Sequence, residues 1–286
     1  MIKQFLVKLR NFQTSPIVKA IVDASSIPYY RHRNIDEYEN KRMMEDPIYL
    51  DRYGYKVFSE ADEDGIIAEI FKRIGVTNKK FVDFGAGNGL CSNSHFLLHQ
   101  GWTGIWIEGD EDKCRKIEKA FSLPIRQNCL KVINAFITKD NINKLIGIGN
   151  GAFNGEIDFL SVDIDGNDYW VWKSITCISP RVVMVEYNAK FPPTFEWIMK
   201  YDENHIWNGD DEQGASLKAF EILGRELGYQ LVGTSTNGVN AFFVKKNLAK
   251  DFFPQPATSE NLYHSWRGMG IIKYVSGHPS KKYIGK

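Results

Sequence analysis

Between Lys80 and Tyr187 the chain carries five short apolar runs, and each of the first four is followed by helical spacing. No other feature restricts the fold as strongly. The runs are Lys80–Gly85 (KFVDFG), Gly104–Glu108 (GIWIE), Leu130–Ile137, Ile157–Ile164 (IDFLSVDI) and Arg181–Tyr187 (RVVMVEY). Helices are predicted between them over Leu90–Gln100, Glu111–Phe121, Asp140–Ile148 with Asp140 as its N-cap, and Asp168–Thr176. Strands this rich in Val, Ile, Leu and Phe are buried on both faces, which means a parallel sheet covered by helices on each side. A long connection, Asn188–Glu212, precedes a helix over Gly214–Leu227. Strands at Tyr229–Ser235 and Asn240–Lys245 flank Asn237-Gly238, a hairpin signal that adds one antiparallel strand. The expectation is a three-layer, doubly wound, Rossmann-like α/β sheet of seven strands with the last antiparallel. Ligands of such sheets bind at the carboxyl ends of the strands.

Three zones follow from charge. Residues 1–57 carry ten basic and seven acidic side chains, residues 58–246 carry 20 and 26, and residues 247–286 carry six and two. We expect a helical N-terminal extension over 1–57, the α/β domain over 58–246, and a C-terminal extension over 247–286 that packs on it. The acidic middle argues against a nucleic-acid groove, which needs a basic footprint. In the first zone Ile2, Phe5, Leu6, Leu9 and Phe12 share one helical face, a stripe suited to packing on the domain or on a second copy in a homodimer. Tyr29 to Arg33 read as loop. No apolar run approaches the ~18–20 residues of a membrane span. Cys91, Cys114, Cys129 and Cys177 are scattered, without metal-site or disulfide-framework spacing. Lys3, Lys8 and Arg10 break the first apolar stretch, so the cytoplasm is the expected address.

The strand ends hold the chemistry. The first runs Asp83-Phe84-Gly85-Ala86-Gly87-Asn88-Gly89, where glycines allow close backbone approach to a ligand and a sharp turn. The spacing is not the dinucleotide G-x-G-x-x-G. Asp83 just before it would repel a pyrophosphate and suits a cationic amine; S-adenosylmethionine carries an ammonium and a sulfonium and no phosphate. Glu108, followed by Gly109, ends the second strand, where a carboxylate accepts from both ribose hydroxyls of an adenosine. Asn134 and Ala135 lie where an amide could read an adenine edge, with Phe136 against the ring. The fourth strand delivers Asp163-Ile164-Asp165-Gly166-Asn167-Asp168. Asp163 and Asp165 can share a face, and so many carboxylates call for a shared proton or a cation. Either they act as general base toward an acceptor hydroxyl, or Asp163, Glu186 and Asn188 bind Mg²⁺ through oxygen. His205, within the long connection beside Trp207, Asp210 and Asp211, is the best placed of His99, His205 and His278 to serve as a catalytic base under an acceptor lid.

From about Tyr53 to Val244 the sequence resembles the FkbM-type class I S-adenosylmethionine-dependent methyltransferases. The resemblance is carried by Ser59–Gly65, VDFGAGNG, GWTGIWIEGD (101–110), FLSVDIDGNDYWVW (159–172), PRVVMVEYN (180–188), 214–223 and GVNAFFV (238–244). It implies the fold above, S-adenosylmethionine as cofactor, O-methylation, and a sugar or glycan hydroxyl as acceptor. Carried over, Asp83, Gly85 and Gly87 would shape the methionine-moiety site, Glu108 would hold the ribose, Asn134 and Ala135 would lie by the adenine, and Asp163 would stand at the transfer centre. Many relatives begin the first segment Ser-Gln, where this chain has Ser59-Glu60. Three rivals remain: a metal-dependent glycosyltransferase using Asp163-x-Asp165, a binding module without turnover, and a nucleic-acid methyltransferase.

Overall fold

In a computed structural model the described residues are Met43, 45–148 and 153–265. The Ile2–Phe12 stripe, Tyr29 to Arg33 and His278 lie outside them.

Seven strands form one sheet in the order β3-β2-β1-β4-β5-β7-β6. They are β1 (Lys80–Phe84), β2 (Thr103–Glu108), β3 (Leu130–Asn134), β4 (Gly155–Val162), β5 (Ile178–Glu186), β6 (Tyr229–Thr234) and β7 (Asn240–Lys245). The first five pair in parallel, and β7 runs antiparallel between β5 and β6. This is the topology of the class I methyltransferase fold. The helices are α1 (Glu63–Ile74), α2 (His95–His99), α3 (Glu111–Ala120), α4 (Ser122–Arg126), α5 (Ile142–Gly147), α6 (Asp168–Ser174), α7 (Leu217–Glu226), α8 (Lys246–Ala249) and α9 (Ser259–Leu262).

Strand alternation sorts the core into two layers. Phe81, Trp106, Phe159, Val182 and Met184 face α1, α2 and α3, where Ile66, Ile70, Leu97 and Ile117 meet them. Their neighbours Val82, Ile105, Leu160, Val183 and Val185 face α5, α6 and α7, against Ile146, Trp172 and Phe220. Each fully buried side chain of this size contributes roughly 1.5–3 kcal/mol of transfer free energy. Both flanks join this core: Leu50 and Phe253 belong to the first layer, and Leu262 to the second. Gly233 sits at a register shift between β6 and β7, and a Cβ there would lie 3.0 Å from Leu50 Cδ1.

Several predicted bounds shift, each for a local reason. The helix expected over 90–100 is helical only at His95–His99, because Ser92 and Ser94 turn inward to bond a buried carboxylate. β3 stops at Asn134 rather than 137, since its partner β2 ends at Glu108. The N-cap position of α5 falls to Asn141, not Asp140; Thr138 N–H donates to Asn141 Oδ1 (2.9 Å) and Asn141 N–H to Thr138 Oγ1 (3.2 Å). The short helix α4 was not expected. Among the described residues no helix is long and apolar enough to cross a membrane.

Candidate functional site

The carboxyl ends of β1, β2, β4 and β5 converge on one acidic cleft, beginning with the glycine loop. Its three glycines have different causes. Gly85 has φ +72°, and a Cβ there would lie 1.7 Å from the carbonyl oxygen of Asp163, so the exits of β1 and β4 touch only because no side chain intervenes. At Gly89 (φ +81°) a Cβ would strike Phe121 and Trp106. Gly87 (φ +61°) is open, with nothing within 4 Å of where a Cβ would stand. Ala86 is buried beneath the loop, and Asn88 Oδ1 accepts from Leu90 N–H (3.0 Å), tightening the turn.

Asp83 shares the face of Phe81 and lies beneath the loop, 2% exposed. Its Oδ2 accepts from Ser92 Oγ and Ser94 Oγ, both at 2.7 Å. Burial raises the Asp83 carboxyl, while the hydroxyls of Ser92, Ser94 and Ser161 oppose the rise. Ser94 Oγ also accepts from Trp106 Nε1 (2.7 Å). Asp83 thus shapes the cleft from below, through its seryl partners. Glu108 is latched to the loop: Oε2 accepts from Gly87 N–H (2.8 Å) and Oε1 from Asp110 N–H (2.9 Å).

Asn134 departs from its expected orientation. Its Nδ2 donates to the carbonyl of Glu108 (3.0 Å) and lies near that of Gly109 (3.3 Å), so it braces the β2 exit, as does Ala135 N–H to Glu108 O (3.0 Å). Beside Gly109, the Phe136 ring is 47% exposed at the mouth of the cleft.

The centre of the cleft is Asp163, Asp165 and Glu186, whose ligand oxygens lie within 4.8 Å of one another. Register sets this up, because β4 and β5 pair Val162 with Val185 and so deliver the next residues side by side. Asp163 is held well above the usual carboxylate range by burial, then by Asp165, Asp168, Asp83 and Glu60. Glu186 is raised by burial, then by Asp163, Asp168 and Asp165, and it hydrogen-bonds Asp163. Burial and mutual repulsion therefore favour the protonated form of both carboxyls. Asp165 has φ +54°, a conformation Asp tolerates better than most residues. Asp168 organises the turn: Oδ1 accepts from Ile164 N–H and Oδ2 from Gly166 N–H, each at 2.8 Å. Fully buried, it is pushed up to about 6 by desolvation.

Two predicted roles change. Asn188 is engaged with backbone: its Nδ2 donates to the carbonyls of Asp211 (2.9 Å) and Gln213 (3.1 Å), and its Oδ1 accepts from Lys190 N–H (3.3 Å). β5 ends at Glu186, so the i, i+2 rule that would align the two side chains no longer applies. His205 packs on the turn backbone, where a Cβ on Gly166 would lie 2.2 Å from its ring, and Nε2 is 3.2 Å from Asp165 O. A carbonyl only accepts, so that nitrogen carries the hydrogen. His99 stacks on Phe58 at 5.0 Å between ring centroids.

Sequence reading missed Lys190 and the two serines. Lys190 is paired with Asp211 and brought down to about 8 by burial, which Asp210 and Glu186 oppose. A lone lysine after a strand end carries no signal; Ser92-x-Ser94, with both hydroxyls on one side, offered a faint one. Glu60 reaches the rim because Asp64 Oδ2 accepts from the N–H groups of Val57 (2.7 Å), Phe58 (2.7 Å) and Ser59 (3.0 Å), folding that segment back over the cleft.

No protein-family model and no curated protein matches the sequence. Solved structures do. The chain is similar to an S-adenosylmethionine-dependent methyltransferase from Clostridium acetobutylicum (12% identity, 62% of this chain, 88% of that one, TM-score 0.39). It is similar also to magnesium protoporphyrin IX methyltransferase from Synechocystis with bound SAH (11%, 64% and 81%, TM-score 0.42). A third likeness, to the METTL16 MTase domain (13% identity, TM-score 0.33), takes in 43% of this chain and spans only about half, 51%, of that one. At such identities the likeness is one of fold alone.

Proposed function

We propose that the protein is an S-adenosylmethionine-dependent O-methyltransferase of the FkbM type, acting on a hydroxyl of a sugar or glycan-related small molecule. The observation that carries this reading is the pair Asp163–Glu186, two half-buried, hydrogen-bonded carboxyls at adjacent strand ends, together with the open backbone of Gly87 in the glycine loop. Open space over Gly87 fits a ligand lying against the main chain. The acidic surroundings favour a cationic cofactor and oppose a diphosphate. When bound, S-adenosylmethionine supplies an electrophilic methyl group on a sulfonium. The chain's own residues then have three tasks. Gly85 to Asn88 and Glu108 hold the cofactor, Phe136 covers its flat end, and the Asp163–Glu186 pair accepts the acceptor hydroxyl's proton as the oxygen attacks. The connection between β5 and α7, with Lys190, His205 and Trp207, walls the acceptor side.

Three carboxylates in one cluster are also oxygen donors of the kind Mg²⁺ takes, and Asp163, Asp165 and Glu186 would hold it. That grouping is the feature that favours a metal-dependent glycosyltransferase as the second reading. A thermal-shift titration with S-adenosylhomocysteine, UDP and NAD side by side separates the two. A rise of several degrees with the first alone is expected. A rise only with UDP plus Mg²⁺ refutes the methyltransferase reading, and cofactor binding without product from any acceptor would mark a binding module.

A further inference from the structure

The carboxylates of the acidic cleft are mostly spent on the protein itself. Asp83 is buried and bonded by Ser92 and Ser94. Asp168 is fully buried and gives its two oxygens to the N–H groups of Ile164 and Gly166. Asp163 and Glu186 bond each other, and the two oxygens of Glu108 accept from Gly87 and Asp110 at the ribose end. Glu60 stands at the rim, outside the central cluster. Asp165 is central and exposed, and among the described residues no group hydrogen-bonds or ion-pairs with its carboxylate. Its presentation is built into the turn. The bonds to Asp168 grip the chain on either side of residue 165, and His205 Nε2 lies 3.2 Å from the Asp165 carbonyl oxygen. Together they hold a φ of +54°, a conformation that persists only where its surroundings over-determine it. The turn adjoins the glycine loop, because Gly85 lies against the carbonyl oxygen of Asp163, so a ligand on the open backbone of Gly87 comes up against it.

Resting on the methyltransferase reading, we infer that Asp165 is the counterion of the cofactor's α-ammonium, the part that sequence spacing gave to Asp83. The two positive groups of S-adenosylmethionine differ in what they ask of a protein. The sulfonium has no hydrogen to donate, whereas the ammonium brings three N–H donors. A carboxylate with both oxygens open takes such donors as charge-assisted hydrogen bonds, which are stronger and more directional than attraction to a bare charge. Asp83 cannot reach a ligand while its oxygen is held by the two serines beneath the loop.

The test is isothermal titration of the full chain with S-adenosylhomocysteine and with its desamino analogue, in which hydrogen replaces the α-ammonium. The parent protein should prefer S-adenosylhomocysteine by at least about tenfold. Asp165→Asn and Asp165→Gly should each lose that preference, binding S-adenosylhomocysteine more weakly and the analogue as the parent does. Asn tolerates the native φ and Gly adopts it freely, so the turn is kept in both, and the second variant keeps the test decisive if the first folds poorly. Equal affinity of the two ligands for the parent protein overturns the assignment. So does a preference that survives in either folded variant. Failure of the parent protein to bind either ligand refutes the methyltransferase reading itself, and the assignment falls with it.

Discussion

Gly85 and Gly87 stand two residues apart in one loop, both with positive φ, and alanine at each should give opposite phenotypes. The left-handed conformation costs a non-glycine residue about 1–2 kcal/mol. At Gly87 that is the whole cost, because nothing lies within 4 Å of the added methyl. For a domain of this size it amounts to a melting-temperature fall of roughly 2–8 °C. At Gly85 the methyl would lie 1.7 Å from Asp163 O, far inside contact distance, so β1 and β4 must separate at their exits. Overpacking of that kind adds about 1–3 kcal/mol or more, and the total of about 2–5 kcal/mol is a large share of the stability of an ordinary domain. Gly85→Ala should therefore be poorly folded. Gly87→Ala should fold, melt cooperatively and fail to bind S-adenosylhomocysteine, since its methyl occupies the space assigned to the cofactor. Differential scanning calorimetry and titration calorimetry on both variants decide the matter. A Gly87→Ala protein with undiminished affinity would refute the placement of the cofactor against that backbone.

Glu186→Gln should raise the melting temperature at pH 8 by a few degrees, about 1 kcal/mol, by removing one of two crowded carboxyls, while lowering methyl transfer by about 10²–10⁴. The pH dependence has a definite sign. Asp163, Glu186 and Asp168 are raised in the folded state, so their contribution to stability is fullest below the ordinary carboxylate range and is lost as pH rises through their raised titrations, about 6 for Asp168. The ligand-free protein should accordingly melt higher at pH 6 than at pH 8, and a flat or inverted profile in a melting series would contradict the raised titration of these carboxyls. At the opposite end of the sheet, Asp158→Ala strips a buried guanidinium of its partner (Arg181 Nη1 to Oδ1, 2.7 Å) and the N–H groups of Thr77, Asn78 and Lys79 of their acceptor. A loss of about 3–5 kcal/mol in urea unfolding is expected. Affinity for S-adenosylhomocysteine should stay unchanged in conditions where the variant is folded. EDTA treatment should leave methyl transfer intact, and loss of activity restored by Mg²⁺ would assign the Asp163–Asp165–Glu186 cluster to an ion.

Much of the fold was legible because burial on both faces writes itself directly into composition. Five near-continuous apolar runs and an Asn-Gly hairpin yield seven strands with one reversed, and the same runs place the glycine loop, Glu108, Asp163 and Glu186 at the carboxyl ends. Spacing along a strand is a local property, so these positions could be named from the chain alone. Which side chains meet there is not local. That Asp163 and Glu186 meet depends on the β4–β5 register, which joins residues more than twenty positions apart. Asp83 turned out to serve two serines beyond the loop, and Asn134 and Asn188 to brace backbone rather than face a ligand. An amide or carboxylate at a strand end announces polarity but not direction. Direction is set by the competing unsatisfied N–H and C=O groups that folding brings near it, and these exist only once the tertiary structure has formed.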